Sequence, residues 1–176
     1  MKRGDILPSF NLEGIDNNWY STDDFLKKKI FCIIFSCNYC PYVLAYLDRI
    51  INIYDKYENE DFALWLINSN DPVKYPQDSF ENMKEMATKK SFKFPYLFDK
   101  TQKIAKKFKA ERTPEVFLFN KRKVLVYHGG IDDNWEKESK VIHSFLAEAI
   151  KKLVQEEDIV VVETPVEGCS IKWKNK

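Results

Sequence analysis

The chain has 176 residues, 44% of them hydrophobic, which suits one domain with a sizeable core. Its 28 basic and 27 acidic residues nearly cancel, so charge gives no footprint for nucleic acid or for an anionic membrane surface. The first ten residues hold no apolar core of signal-peptide length and no stretch is long enough to span a bilayer, so a cytoplasmic location is expected.

The elements follow in chain order. Residues 4–26 read as a hairpin-like lead-in, with Phe10 and Leu12 as strand residues and Asp16-Asn17-Asn18 as the turn. Ser21 or Thr22 caps a short helical turn through Asp23, Asp24 and Phe25. Ile30 to Phe35 is an apolar run rich in β-branched and aromatic residues, the pattern of a strand buried on both faces. From Val43 onward the apolar positions recur at helical spacing (Val43, Leu44, Leu47, Ile51, Tyr54), which predicts a helix from about 40 to 57. Asp61 to Ile67 is a second apolar strand, parallel to the first if the crossover is right-handed. Asn68 to Pro72 is a cluster of loop formers, with Asn70 and Asp71 in Asx-turns rather than as metal ligands.

Pro76 to Lys90 reads as a helix with Phe80, Met83 and Ala87 on one face, and Phe94 to Phe98 as a short strand. Thr101 to Lys109 is a helix with Ile104, Ala105 and Phe108 inward and its lysines on a solvated face. Glu115 to Phe119 and Val124 to Tyr127 form an antiparallel pair around the Asn120–Lys123 turn, and Gly129-Gly130 marks a bulge or sharp bend. Glu136 to Val154 is the last helix, with Val141, Phe145, Ala149 and Leu153 in one stripe; His143, inside it, is assigned no chemistry. In the tail, Ile159 to Val162 reads as an extra strand. Valines, Cys169 and Trp173 together predict a docked segment rather than a disordered one.

The chemistry gathers where the first long strand meets the first long helix, at Cys37-Asn38-Tyr39-Cys40 followed by Pro41. A helix start has unpaired N–H groups and the positive end of the macrodipole, which stabilise a thiolate. On this reading Cys37 is the low-pKa nucleophile, and Cys40, three residues on, is placed to attack a mixed disulfide formed at it. A zinc half-site needs a second ligand pair, and the chain holds no other C-x-x-C and only His128 and His143. Two buried structural thiols are the remaining alternative. A C-x-x-C between strand and helix in a reducing compartment points to redox chemistry.

These residues carry a resemblance. The segment from Cys37 to Val43, C-N-Y-C-P-Y-V, resembles the active site of the thioredoxin-like superfamily, and more closely its peroxiredoxin-like branch, the alkyl hydroperoxide reductase and thiol-specific antioxidant proteins. The tail Gly168 to Trp173, G-C-S-I-K-W, and the opening G-D-x-x-P-x-F-x-L are similar to members of that branch. The resemblance implies an α/β thioredoxin-like fold: a central mixed β-sheet flanked by helices, with an N-terminal hairpin extension. Residues 1–154 then form the domain and residues 155–176 a tail packed on it. It implies that Thr113-Pro114 lies opposite the cysteines with a cis peptide bond and binds the backbone of an extended substrate segment. It also implies that Cys37, the more exposed cysteine, attacks and that Cys40 resolves.

The expected function is therefore thiol–disulfide exchange with a disulfide-containing protein or small thiol, with electrons from a dithiol donor. No metal or organic cofactor is required, and neither nucleic acid nor membrane is expected as a partner. Two alternatives stand beside it: a peroxiredoxin-like thiol peroxidase, and a non-catalytic binding or metal-holding module. The peroxidase frame P-x-x-x-T-x-x-C is absent, because its Pro and Thr positions hold Ile33 and Cys37 counted from Cys40, and Ile30 and Ile34 counted from Cys37. Departures from the thioredoxin pattern are Ser36 in place of a Trp before the first cysteine, and no acid in the preceding strand. The tail offers Cys169 as a third redox cysteine, if it lies near Cys37 or Cys40, and Trp173 as a cover for the site.

Overall fold

The computed structural model describes residues 1–175. Strands β1 (Asn11–Gly14) and β2 (Trp19–Ser21) form the N-terminal hairpin, followed by a 3₁₀ turn over Thr22–Lys27. Strand β3 (Ile30–Ser36) leads into helix α1 (Pro41–Tyr57), which returns the chain to strand β4 (Phe62–Asn68), parallel to β3. Helix α2 (Phe80–Lys89), strand β5 (Tyr96–Phe98) and helix α3 (Lys103–Phe108) follow. The two-residue strand β6 (Arg112–Thr113) precedes the hairpin of β7 (Glu115–Phe119) and β8 (Leu125–Gly129). Helix α4 (Phe145–Val154) and the tail strand β9 (Cys169–Ser170) complete the chain. The main sheet has the order β2-β1-β5-β4-β3-β7-β8, and β6 with β9 forms a separate two-stranded sheet. This is a thioredoxin-like α/β fold, with a mixed sheet covered by helices on both faces.

All seven residues of β3 are buried, because neighbours cover both faces and both edges. Ile30, Cys32 and Ile34 face one layer, with Leu64, Leu66, Val116 and residues of α1 and α4. Phe31, Ile33 and Phe35 face the other, with Phe108, Phe117 and the N-terminal Phe10. The side chains alternate while the sequence does not, as in strands covered on both sides. Each large apolar group so buried stabilises the fold by about 1.5–3 kcal/mol. Cys32 is fully enclosed in the first layer, and burial pushes its thiol pKa far up.

Three expected elements come out differently. The helix expected over 76–90 is divided: a 3₁₀ turn spans Pro76–Asp78, and α2 starts after Ser79, whose hydroxyl accepts the Asn82 N–H. The helix expected over 136–154 is shorter, with a 3₁₀ turn at Glu138–Lys140 and α4 only from Phe145. The reason is polar: the Asp133 carboxylate accepts the N–H groups of Ile142 and His143, closing a loop where helix bonds would run. Val141 and His143 therefore lie outside the helix, and His143 is exposed. The strand expected at Ile159–Val162 is absent. Val160 is 86% exposed, Ile159 packs partly buried on the core, and the Val162 carbonyl accepts the His128 N–H at 3.0 Å beside the bridge between Glu163 and His128.

Gly129, at φ +156°, ends β8 where the tail crosses, and a side chain there would collide with Thr164. The Thr164 hydroxyl bonds the Tyr127 hydroxyl at 2.7 Å and accepts the Gly130 N–H, fixing the tail's first half. The irregular pairing of this hairpin falls instead between Leu118 and Phe119.

Candidate active site

Strand β3 ends at Ser36, and α1 begins with Pro41 at its first position. Cys37 and Cys40 thus flank a two-residue bend, Asn38-Tyr39, over the carboxyl end of the sheet. Cys40 is the N-cap of α1, with extended backbone, and Cys37 stands outside the helix. Neither is exposed: Cys37 keeps 2% and Cys40 3% of its surface, packed with Val43 and Leu47. This corrects the expectation that Cys37 would be the more exposed sulfur. Tyr39, between them, is 72% exposed.

The bend is held from behind by a carboxylate. Asp78, 2% exposed, accepts the Asn38 N–H at 2.7 Å and the side-chain amides of Asn68 at 3.2 Å and Asn70 at 2.9 Å. Asn38 in turn accepts the Tyr96 hydroxyl at 2.9 Å and donates to the Gln77 carbonyl at 3.0 Å. With three donors, both oxygens of this buried carboxylate are hydrogen-bonded. Sequence reasoning missed Asp78, since an acid in a Pro-containing loop gives no signal before the fold brings it under the cysteines. Nearby, Asp71 accepts the Val73 N–H in the expected Asx-turn, but the second such turn is at Asn68, which accepts the Asn70 N–H, and the Asn70 side chain bonds Asp78 and Lys172 instead.

Opposite the bend stands Thr113-Pro114, and its peptide bond is cis as expected. The Thr113 hydroxyl lies 3.2 Å from the Cys37 sulfur, and the Thr113 carbonyl oxygen lies 3.3 Å from that of Cys40. After the proline, Glu115 accepts the N–H groups of Glu111 and Arg112 and pairs with His128 Nε2 at 2.8 Å, which fixes the loop that carries Thr113.

The tail occupies the remaining side. Strand β9 pairs antiparallel with β6, setting Cys169 opposite Thr113 and Ser170 opposite Arg112. Gly168 packs so closely on the Thr113 carbonyl that a side chain there would collide with backbone. The sulfurs of Cys169 and Cys40 lie 2.6 Å apart, about 0.6 Å beyond the covalent S–S length of about 2.05 Å. Two thiolates on one zinc ion, each about 2.3 Å from it, sit about 3.8 Å apart, so this spacing is that of sulfurs poised to bond and not of a metal pair. Beyond β9 the Ile171 side chain is buried in the core layer that holds Phe108 and Phe117. Lys172 N–H donates to the Asn70 side chain, and the Lys172 carbonyl accepts from Asp71 N–H and the Gln102 amide.

Trp173 does not cover the cysteines. It lies against α3, beside the Lys106 ammonium, and is 38% exposed. The alternation of β9 sends Ile171 inward, and the cover over the site is the backbone of Gly168 and Cys169.

The three sulfurs share one proton ladder. Cys40 is the middle one. Hydrogen bonding with Cys37 first, and with Cys169 after it, outweighs burial and lowers its pKa to about 5. Cys37 is raised, first by its hydrogen bonding with Cys40 and then by burial. Cys169 is raised to about 11 by burial and by its own hydrogen bonding with Cys40. These directions favour ionisation at Cys40 over Cys37, and the cause is the hydrogen bonding among the sulfurs.

Residues 3–128 match the AhpC/TSA family. The chain belongs to the AhpC/TSA family. No curated protein matches it in sequence. Among solved structures, this AhpC/TSA chain is similar to an uncharacterized conserved protein of Geobacillus kaustophilus, with 32% identity, a TM-score of 0.92, and 99% of this chain and 94% of that one covered. It is also similar to a hypothetical protein of Sinorhizobium meliloti 1021, at 28% identity and a TM-score of 0.95, covering 100% of this chain and 97% of that one. The thioredoxin domain of a thiol-disulfide oxidoreductase of Bacteroides vulgatus aligns at 13% identity with a TM-score of 0.69, over 88% of this chain and 99% of that one, and shares the fold.

Proposed function

We propose that this protein is a thiol–disulfide oxidoreductase whose Cys37 and Cys40 exchange one disulfide with a protein or small-thiol partner. The observation that carries the reading is the set of sulfurs facing Thr113, with the hydroxyl 3.2 Å from Cys37 and the carbonyl 3.3 Å from Cys40. The Cys40 thiolate attacks one sulfur of the partner's disulfide, forms a mixed disulfide and releases the partner's other sulfur as a thiolate. Cys37 then attacks the Cys40 sulfur, the Cys37–Cys40 bond forms, and the second partner thiolate leaves. A dithiol donor reverses both bonds and returns the enzyme to its thiols. The Thr113 backbone is the edge on which an extended partner segment pairs, with Pro114 holding it in place.

The thiol peroxidase reading lacks support in the charge around the site. Peroxide reduction calls for a cation or strong donors at the attacked oxygen. The Arg49 guanidinium is bound to Asp132 at 2.6 Å and that of Arg112 to the Gly168 carbonyl at 2.9 Å. The hydroxyl of Thr113 beside Cys37 is the one side-chain feature that favours it.

Insulin reduction and hydrogen peroxide consumption, run side by side with dithiothreitol as donor, test the choice. Reduction of insulin disulfides well above peroxide turnover is expected. Rapid peroxide turnover with no disulfide reduction would replace this reading with the peroxidase. Alkylation rates against pH assign the roles: the low-pH thiolate is expected to survive in Cys37→Ser and to vanish in Cys40→Ser.

A further inference from the structure

We infer that the C-terminal strand is an internal stand-in for the partner's strand, and that Cys169 is a third redox thiol that bonds to Cys40. The inference rests on the exchange reading above and adds to it the occupant of the partner site. Three independent features converge. Strand β9 takes the backbone edge at Arg112 and Thr113, with Ile171 N–H donating to the Glu111 carbonyl at 2.9 Å. Gly168 is pressed on the Thr113 carbonyl, a fit that only a residue without a side chain allows. Cys169 then falls 2.6 Å from the Cys40 sulfur, the place that a partner's cysteine takes in a mixed disulfide.

The exchange step conserves electrons. In the oxidised enzyme Cys37 and Cys40 are joined. The Cys169 thiolate attacks the Cys40 sulfur, the Cys40–Cys169 bond forms and the Cys37–Cys40 bond breaks. Cys37 leaves as a thiolate and takes up the proton that Cys169 gave up. One disulfide replaces another, and no outside oxidant is needed. The product is a closed form in which the oxidising equivalent is kept and the edge at Thr113 is covered. A dithiol donor that reduces the Cys40–Cys169 bond removes the covalent tie, and the tail then competes with partners only through its hydrogen bonds and Ile171.

The geometry also decides between the two cysteines. Cys169 faces Cys40, and the hydrogen-bonding partner of Cys37 across the site is Thr113. A tail thiol acting on Cys37 would need β9 to leave its register, because disulfide reach is short.

Two measurements on the full chain test the inference. The first is non-reducing peptide mapping of Cys37→Ser after one equivalent of diamide. A Cys40–Cys169 disulfide is expected in most molecules, and Cys40→Ser treated alike is expected to give no Cys37–Cys169 disulfide. The second compares wild type with Gly168→Val, in which the new side chain lifts the tail from Thr113. Insulin reduction is expected to rise about threefold or more, as the fraction with an open edge increases. Reduction of the small hydroxyethyl disulfide is expected to rise less. A missing Cys40–Cys169 bond, or equal insulin rates in the two proteins, overturns the inference while exchange itself stands. If neither wild type nor Gly168→Val reduces insulin or hydroxyethyl disulfide, it is the exchange reading that falls.

Discussion

Strand β3 and the tail after residue 155 meet at the same sulfurs but are fixed by different forces. Every residue of β3 is buried and hydrogen-bonded into the sheet, whereas from 155 to 175 only Thr164 and Ile171 are buried. The strand is placed by apolar area removed from water, and leaves only when the domain unfolds. The tail is placed by hydrogen bonds with the Asn70, Gln102 and Arg112 side chains, by backbone bonds with β6, Glu111 and Asp71, by Thr164 on Tyr127 and Gly130, and by one buried isoleucine. Each such bond contributes about 0.5–1.5 kcal/mol net and is replaced by water on opening, so the tail is a segment of low local stability. The difference teaches that one half of the site is permanent and the other is a removable wall.

The sharpest way to break this comparison is to remove one apolar anchor from each region. Phe35→Ala opens a hole among Phe108 and Phe117 and is expected to lower global stability by about 3–5 kcal/mol in urea unfolding. Ile171→Ala is expected to leave the urea midpoint nearly unchanged and to speed hydrogen exchange at the Ile171 and Lys172 amides. Equal losses of global stability in the two variants would show that the tail is part of the domain core.

Asp78→Ala has a middle-sized effect and tests the link between the regions. It strips the acceptor from the Asn38 N–H and the Asn70 amide, and Asn70 also holds Lys172 of the tail. A loss of about 1–3 kcal/mol is expected. Hydrogen exchange is expected to quicken at both Asn38 and Lys172. Faster exchange at Asn38 alone would place the tail outside the network.

A further test reads the sulfurs through pH dependence. Cys40 has a folded pKa of about 5 against an ordinary thiol value of 9.0. Between these values the unfolded chain holds a proton that the folded chain has lost, so stability of the reduced protein rises with pH across that window. It is fully present above about 9 and lost as pH falls through about 5. Cys37 and Cys169, raised in the fold, act in the opposite sense only above the ordinary thiol value. Urea midpoints of the reduced protein at several pH values measure the slope. The slope is expected to vanish in Cys40→Ser and to shrink in Cys169→Ser, because Cys169 is one of the two thiols hydrogen-bonded to Cys40.

The sheet was legible because its strands are written as apolar runs: β3, β4 and β7 fall within a residue or two of the expected bounds. The two cysteines and Thr113-Pro114 were legible for another reason, that short motifs at strand ends carry their own geometry. What was not legible depends on partners far away in sequence. The valines at 160–162 look like a strand, but they meet the outer edge of β8 only at His128, and Gly4 and Asp5 bond that edge further along. Cys169 and Ser170 look like nothing, yet become a strand because Thr113 offers one. The helix around His143 fails because a carboxylate ten residues earlier takes its N–H groups. Asp78 and the cover by Gly168 could be found only once the loops stood side by side.

Cys32 gives the chain a built-in clock for its own unfolding. It is sealed in the middle of the sheet with no exposed surface, in a different core cluster from Cys37 and Cys40. A thiol reagent therefore reaches Cys37 and Cys40 when the tail opens, and Cys32 only in molecules whose core has opened. The rate at which Cys32 is labelled counts global openings, while Cys37 and Cys40 report the tail. A single labelling curve thus separates breathing of the wall from loss of the house.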